Sequence, residues 1–215
     1  MQATESKAAQ TSRTRLDQIY RAAAQLFCEN GYDATSMGDV AEAVGMTKAG
    51  VYHFLSGGGK ADLLFAVMNF GMDRLEAEVI EPARAIADAE ERLRAIIRNH
   101  AELIAVNSGP DGHSPVTIMV DEVAGLNQTQ LRQINKRKRA YLDLIRSTIE
   151  ALKAEGKLND ADTTVAAFSL LGMLLWLSRW FRADGRLTGQ QVADEIGKIA
   201  LGGLLRPQAR LGRKS

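Results

Sequence analysis

Apolar residues recur three and four positions apart along almost the whole chain, and no run of β-branched residues alternates with polar ones at period two. That periodicity predicts helices throughout and no sheet. The first helix is expected over 11–30, with Leu16, Ile19, Ala23, Leu26 and Phe27 on one face and Gly31 as its left-handed cap. A short helix opens at Ser36, where Asp39 completes a capping box, and ends near Ala43. Gly45 makes the turn, and Thr47 caps a third helix that runs to about His53 or Phe54. Ser56 to Gly59 then interrupt the pattern. From Lys60 a long amphipathic helix carries Leu63, Leu64, Val67, Met68, Met72, Leu75 and Val79, and Pro82 ends or kinks it near Ile80. Further helices are expected over 88–106, 115–124, 128–155, 162–182 and 188–204, the first and last of these behind Asp88–Glu91 and Thr188–Gln191 boxes. The fold class is all-α, with nine helices.

Segment 36–55, SMGDVAEAVGMTKAGVYHFL, follows the helix-turn-helix plan of short helix, glycine turn and capped second helix. Val40 and Ala43 are expected to pack on Val51 and Phe54, with Ala41 small enough for close approach. Thr47, Lys48, Ala49 and Gly50 are then left at the free end of the second helix, which enters the major groove in such motifs. Tyr52 and His53 lie on its outer surface, placed to donate to phosphates. Spacing alone leaves a second reading open: a helical hairpin in a bundle whose polar residues are merely solvated.

Charge does not decide between these readings. The net charge is +1, and residues 1–60 carry six basic side chains against six acidic ones, so the usual electrostatic footprint of a nucleic-acid binder is absent. Nor is enzymatic chemistry in view, since there is no nucleophile elbow, paired-carboxylate motif or cofactor loop. The glycines before Lys60 fail as a phosphate loop, because Phe54 and Ala61 stand where glycine and Ser or Thr are required. The histidines 53, 100 and 113 lack close ligand spacing, so no metal or cofactor is expected; the alternative is that His100 with Asp121 or Glu122 holds a metal or a polar ligand group. The lone Cys28 excludes an internal disulfide. Residues 1–10 lack the apolar core of a signal peptide, and the apolar run 165–177 is shorter than the roughly 20 residues of a membrane span. A soluble cytoplasmic protein without a membrane partner is the expectation.

The stretch from Arg13 to about Met72 resembles the DNA-binding domain of the tetracycline-repressor (TetR) family. The matching residues are AAAQLFCENGYDATSMGDVAEAVGMTKAGVYHFL and then KADLL at 60–64. The resemblance implies that Thr35, Ser36, Lys48, Tyr52, His53 and Lys60 hold phosphates and that Thr47, Lys48, Ala49 and Gly50 read bases. One departure is the link Ser56–Gly59, longer than the family usually has, which bears on the role of Lys60. The resemblance implies a helix-turn-helix domain over 11–59 and a ligand-binding and dimerisation domain over 60–205, while residues 1–10 are expected to be a disordered arm and residues 206–215, basic and without apolar periodicity, a disordered tail. As a function it implies a homodimeric repressor on a palindromic operator, released by a small-molecule inducer. A helical interaction module without DNA binding is the alternative.

Residues 170–185, LLGMLLWLSRWFRADG, are apolar nearly all round and must be covered on more than one side. One side is expected to face the subunit core and the other a second subunit, in the four-helix bundle that the resemblance implies. Leu174, Leu177, Trp180, Val192, Ile196 and Ile199 are the interface candidates, and Trp176 serves either there or in a pocket. Candidate pocket residues are Met68, Met72, His100, Leu103, Ile104, Met119, Tyr141, Ile145, Phe168, Met173 and Trp176, a set whose methionines adapt to variable apolar ligands. Residues 170–187 also resemble a TetR subgroup that responds to acyl-coenzyme A thioesters, whose phosphates would need cations; Arg98, Arg179 and Arg182 are the candidates. A hydrophobic drug acting on an efflux operon is the other ligand class.

Overall fold

The protein is described here by a computed structural model, which covers residues 2–107 and 125–206. The helix expected over 115–124, including Met119, Asp121 and Glu122, lies outside the described residues, as does the tail beyond Arg206. Helix α1, Gln2–Asn30, starts earlier than the periodicity suggests, so the segment expected to be a disordered arm is helical from Gln2. Gly31 follows at φ +84°, the conformation in which a Cβ is penalised, and its N–H donates to Phe27 O at 3.1 Å.

Helices α2, Met37–Ala43, and α3, Lys48–Phe54, form the helix-turn-helix. Ser36 accepts from the N–H groups of Gly38 and Asp39, while the Asp39 carboxylate accepts from Ser36 N at 2.7 Å. That reciprocal box holds the Asp39 carboxyl below its ordinary range. Thr47 accepts from Gly50 N at 3.1 Å, and Gly45 turns the chain at φ +63°. Val40, Ala41 and Val51 are buried beneath α1, where they meet Ile19, Ala23, Ala24 and Phe27. Ala43, expected in this contact, is exposed; Ala41 occupies the buried position instead.

Helix α4, Lys60–Leu75, does not end at Pro82. It passes into a π-helical turn, Glu76–Ile80, and a short α5, Glu81–Arg84. Proline has no N–H and its ring crowds the preceding turn; widening by one residue, with Glu81 N–H donating to Glu76 O, lets the helix absorb it. Helix α6, Ala89–Asn107, is the centre of the larger domain and packs on α7, Gln128–Ala154, α8, Thr163–Trp180, and α9, Gly189–Leu204. Leu93, Ile96, Ile97, Leu103 and Ile104 of α6 are fully buried there. Truncating any of them to Ala would cost about 2–5 kcal/mol. The far end of α9 is pinned to the α7–α8 link, where Asn159 N donates to Leu204 O and Arg206 N to Lys157 O, each at 2.8 Å.

Helix α8 is longer than the apolar run from which a span was excluded. Its 18 residues are long and apolar enough, by length and composition, to cross a membrane. Packing gives it another place: Ala166, Ala167, Leu170, Leu174 and Leu177 form one face and are buried in the core.

Candidate functional site

Two places in the molecule match the expectations, one in the three-helix head and one in the larger domain. In the head, Thr47, Lys48, Ala49 and His53 are exposed at α3, while Gly50 and Tyr52 are half-buried. Ser36 is also exposed, so its hydroxyl reaches solvent while capping α2. Thr47, Lys48, Ala49 and Gly50 form the first turn of α3 and its cap, while Tyr52 and His53 lie toward its other end.

Thr35 and Lys60 do not join them. Thr35 is buried, and its hydroxyl donates to Gly31 O at 2.9 Å and Leu26 O at 3.1 Å, tying the loop to the end of α1. Lys60 points inward from the first turn of α4. Its ammonium donates to the carbonyls of Tyr32, Asp33 and Thr35 at 2.7, 3.2 and 3.0 Å and sits 4.2 Å from the centre of the Tyr32 ring. All three of its N–H groups are therefore spent on the chain, and Lys60 is a clasp between head and α4 rather than a phosphate ligand. Lys60→Met, which keeps the stem and removes the donors, is expected to lower stability by about 1–3 kcal/mol, read by chemical denaturation. The salt slope of operator binding should stay as it is; a slope reduced by about one with unchanged stability would restore the phosphate role.

The second place is a cavity of ≈ 310 Å³ between α4, α6, α7 and α8. Met72 and Leu75 of α4 line it, with His100 of α6, Lys138, Arg139, Tyr141 and Leu142 of α7, and Phe168, Leu171 and Leu175 of α8. Of the expected pocket residues, Met72, His100, Tyr141 and Phe168 come together here. Met68, Leu103, Ile104 and Ile145 are buried in the solid core instead, Met173 is half-buried off the cavity, and Trp176 is 65% exposed on the outside. Leu75, Leu142, Leu171 and Leu175 were missed because periodicity assigns a leucine to an inward face without saying whether that face meets side chains or space. Lys138 and Arg139 belong to the basic run 136–139, which was readable as a patch but not as a rim.

His100 and Tyr141 give the cavity its buried polar feature. The His100 Nδ1 and the Tyr141 hydroxyl are 2.8 Å apart and the rings meet edge to face. Burial pushes the imidazole down to about 4 and the phenol up, so both are neutral at physiological pH. Among the described residues His100 Nε2 is buried without a hydrogen-bond partner. Leaving such a group unpaired costs roughly 1–3 kcal/mol, which a chain tolerates only for a reason.

Two helices lead from this cavity to the head. Helix α4 carries Met72 and Leu75 at one end and the Lys60 clasp at the other. Helix α7 runs beside it: Gln130 donates to Asp62 at 3.4 Å, and Arg137 pairs with Asp73 at 2.7 Å and donates to Asn69 at 3.2 Å. Just before α7, Gly125 lies so close to Tyr32 that a Cβ there would come within 2.5 Å of the ring. Both helices thus run from the cavity to the loop 32–35 that leads into the helix-turn-helix.

The cations proposed for ligand phosphates are elsewhere. Arg98 lines a separate groove between α6 and α9, Arg179 is exposed on α8, and Arg182 pairs with Asp184 at 3.4 Å. Arg139 instead lines both the cavity and a groove along α7 with Arg132 and Lys136.

The interface candidates also divide. Leu174, Leu177 and Val192 are buried within the subunit, so they are core, while Trp180 and Ile199 are exposed and Ile196 is half-buried. Among the described residues the exposed large apolar side chains are Val165, Phe168, Trp176, Trp180 and Ile199, all on α8 and α9.

Residues 19–67 match the model of bacterial regulatory proteins of the tetR family, and residues 87–204 match that of the tetracyclin repressor-like C-terminal domain. The chain belongs to the TetR family of transcriptional regulators. AibR, solved in complex with isovaleryl coenzyme A and operator DNA, superposes with a TM-score of 0.74 at 39% identity, covering 86% of this chain and 97% of that one. The HTH-type transcriptional repressor KstR2 of Rhodococcus jostii is 29% identical over 198 residues, covering 90% of this chain and 92% of the relative. KstR2 of Mycobacterium tuberculosis, at 23% identity and a TM-score of 0.78, covering 90% of this chain and 96% of that one, shares the fold. Members of the family are DNA-binding regulators and not enzymes.

Proposed function

We propose that this TetR-family regulator is a cytoplasmic, homodimeric repressor that holds a palindromic operator and releases it when an acyl-coenzyme A thioester enters the cavity. The observation that carries the reading is the cavity itself: it is apolar within, rimmed by Lys138 and Arg139, and built partly from the helix that ends in the head. Its volume equals that of about ten liquid waters, room for a short or branched acyl group. The phosphates then lie along α7, on Arg139, Lys136 and Arg132. The likeness to AibR, whose complex contains isovaleryl coenzyme A and operator DNA, supports the ligand class. For release to follow, the ligand must bind the DNA-incompetent arrangement more tightly, since equal affinity for both shifts nothing.

The dimer is formed by the exposed stripe Val165, Phe168, Gly172, Trp176 and Trp180 of α8 with Ile199 of α9. Gly172 has open space around it, so a partner helix can approach there.

The test is to titrate the operator complex with isovaleryl-coenzyme A, isovaleric acid and coenzyme A. Release by the thioester alone is expected; release by none of them would remove the ligand class. Operator contact itself is tested by Lys48→Ala, which should weaken binding about tenfold and flatten the salt dependence by about one unit of slope, as measured by fluorescence anisotropy. Unchanged affinity at matched salt would remove Lys48 from the interface.

A further inference from the structure

The buried pair in the cavity has a direction. A phenol is the stronger hydrogen-bond acid and an imidazole the stronger base, so the 2.8 Å contact is Tyr141 O–H donating to His100 Nδ1. In that tautomer the remaining ring hydrogen is on Nε2, the atom that has no partner among the described residues, on a residue that is only 1% exposed. Among the described residues, the cavity that His100 lines is otherwise walled by Tyr141 and by leucine, methionine and phenylalanine, and the cations at its rim offer no acceptor. We propose that His100 Nε2–H is the group that reads the ligand, donating to one uncharged acceptor oxygen, the carbonyl of an acyl thioester, inside the apolar cavity. Tyr141 is a positioning residue that fixes the tautomer and the ring.

The proposal rests on the cavity's being the inducer site and adds what that site selects. A pocket built to donate a buried hydrogen bond rejects an analogue lacking the acceptor far more strongly than it rejects a change of one methylene. A neutral donor also favours a carbonyl over a free carboxylate, which would surrender its hydration without gaining a buried counter-charge.

The experiment compares isovaleryl-coenzyme A with the thioether analogue in which its carbonyl is a methylene, by isothermal titration calorimetry on the full-length protein. Wild type is expected to bind the thioester at least about tenfold more tightly, the worth of one hydrogen bond in a buried site. In His100→Leu that ratio should fall to within about twofold, His100→Gln should restore part of it through its amide N–H, and Tyr141→Phe should give an intermediate ratio. Thermal melts accompany each variant; if His100→Leu fails to fold, the ratio in Tyr141→Phe carries the test. A full ratio surviving in the His100 variants, or equal binding of both compounds by wild type, overturns the proposal. Binding of neither compound overturns the inducer reading and this proposal with it, an outcome distinct from equal binding of both.

Discussion

Trp176→Glu is expected to turn the protein into a folded monomer that no longer holds its operator, whereas Leu174→Glu is expected to unfold the subunit. The two positions are two residues apart on α8 and face opposite ways: Trp176 is 65% exposed and Leu174 is fully buried in the core. A stable two-fold interface hides at least about 1,200 Å², and tryptophans at the centre of such a surface are worth about 2 kcal/mol or more each. The two-fold axis brings the substitution in twice, and each carboxylate would be buried without a partner. Together these losses exceed about 4 kcal/mol, a factor of about a thousand in the dimerisation constant. Operator affinity follows, because two half-sites are read only when two recognition helices are held at fixed spacing. Light scattering and circular dichroism separate the outcomes. A dimeric Trp176→Glu variant with native operator affinity would refute the stripe as the interface.

The same pair shows what the sequence could not yield. Residues 170–185 are apolar nearly all round, and for such a helix periodicity has no phase; which side is inner depends on the partner helices. The pattern therefore places Leu174, Leu177 and Val192 at the interface although they are core, and leaves Trp176, which lies outside, open between interface and pocket. Features set by neighbours within one turn were legible. Ser36 with Asp39, Thr47, Thr188 with Gln191, Gly31 and Gly45 all act as the pattern predicted, since caps and turns are local chemistry. Long-range contacts were not. The carbonyls that occupy Lys60 lie 25 to 28 residues back, and His100 and Tyr141 meet across 41 residues. Pro82 marks a real departure from α geometry, because the π-turn Glu76–Ile80 takes up locally what would otherwise have broken the helix.

A second large effect is expected in acid. His100 titrates at about 4 in the folded protein, because burial disfavours its cation, against about 6.5 when unfolded. The unfolded chain therefore takes up the proton first as pH falls. The stability that depends on neutral His100 is fully present above about pH 6.5 and drains away down to about pH 4. The linkage amounts to roughly 2 kcal/mol by pH 5 and roughly 3 kcal/mol at its limit. The groups facing the imidazole do not oppose this. Tyr141 is neutral, Lys138 and Arg139 on α7 are cationic, and the cavity-lining residues of α4 and α8 are apolar, so no carboxylate among the described lining residues rescues the cation. The carboxyls of Asp39 and Asp88 are held below their ordinary range by hydrogen bonds, so their contribution is lost at lower pH still. Denaturant titrations at pH 7 and pH 5, at one protein concentration so that dimer dissociation cancels, should give a wild-type difference of about 2 kcal/mol. In His100→Leu the difference should nearly vanish, because leucine fills the same wall and binds no proton. Equal acid sensitivity in the two proteins would place the titrating group elsewhere and leave His100 accessible to water.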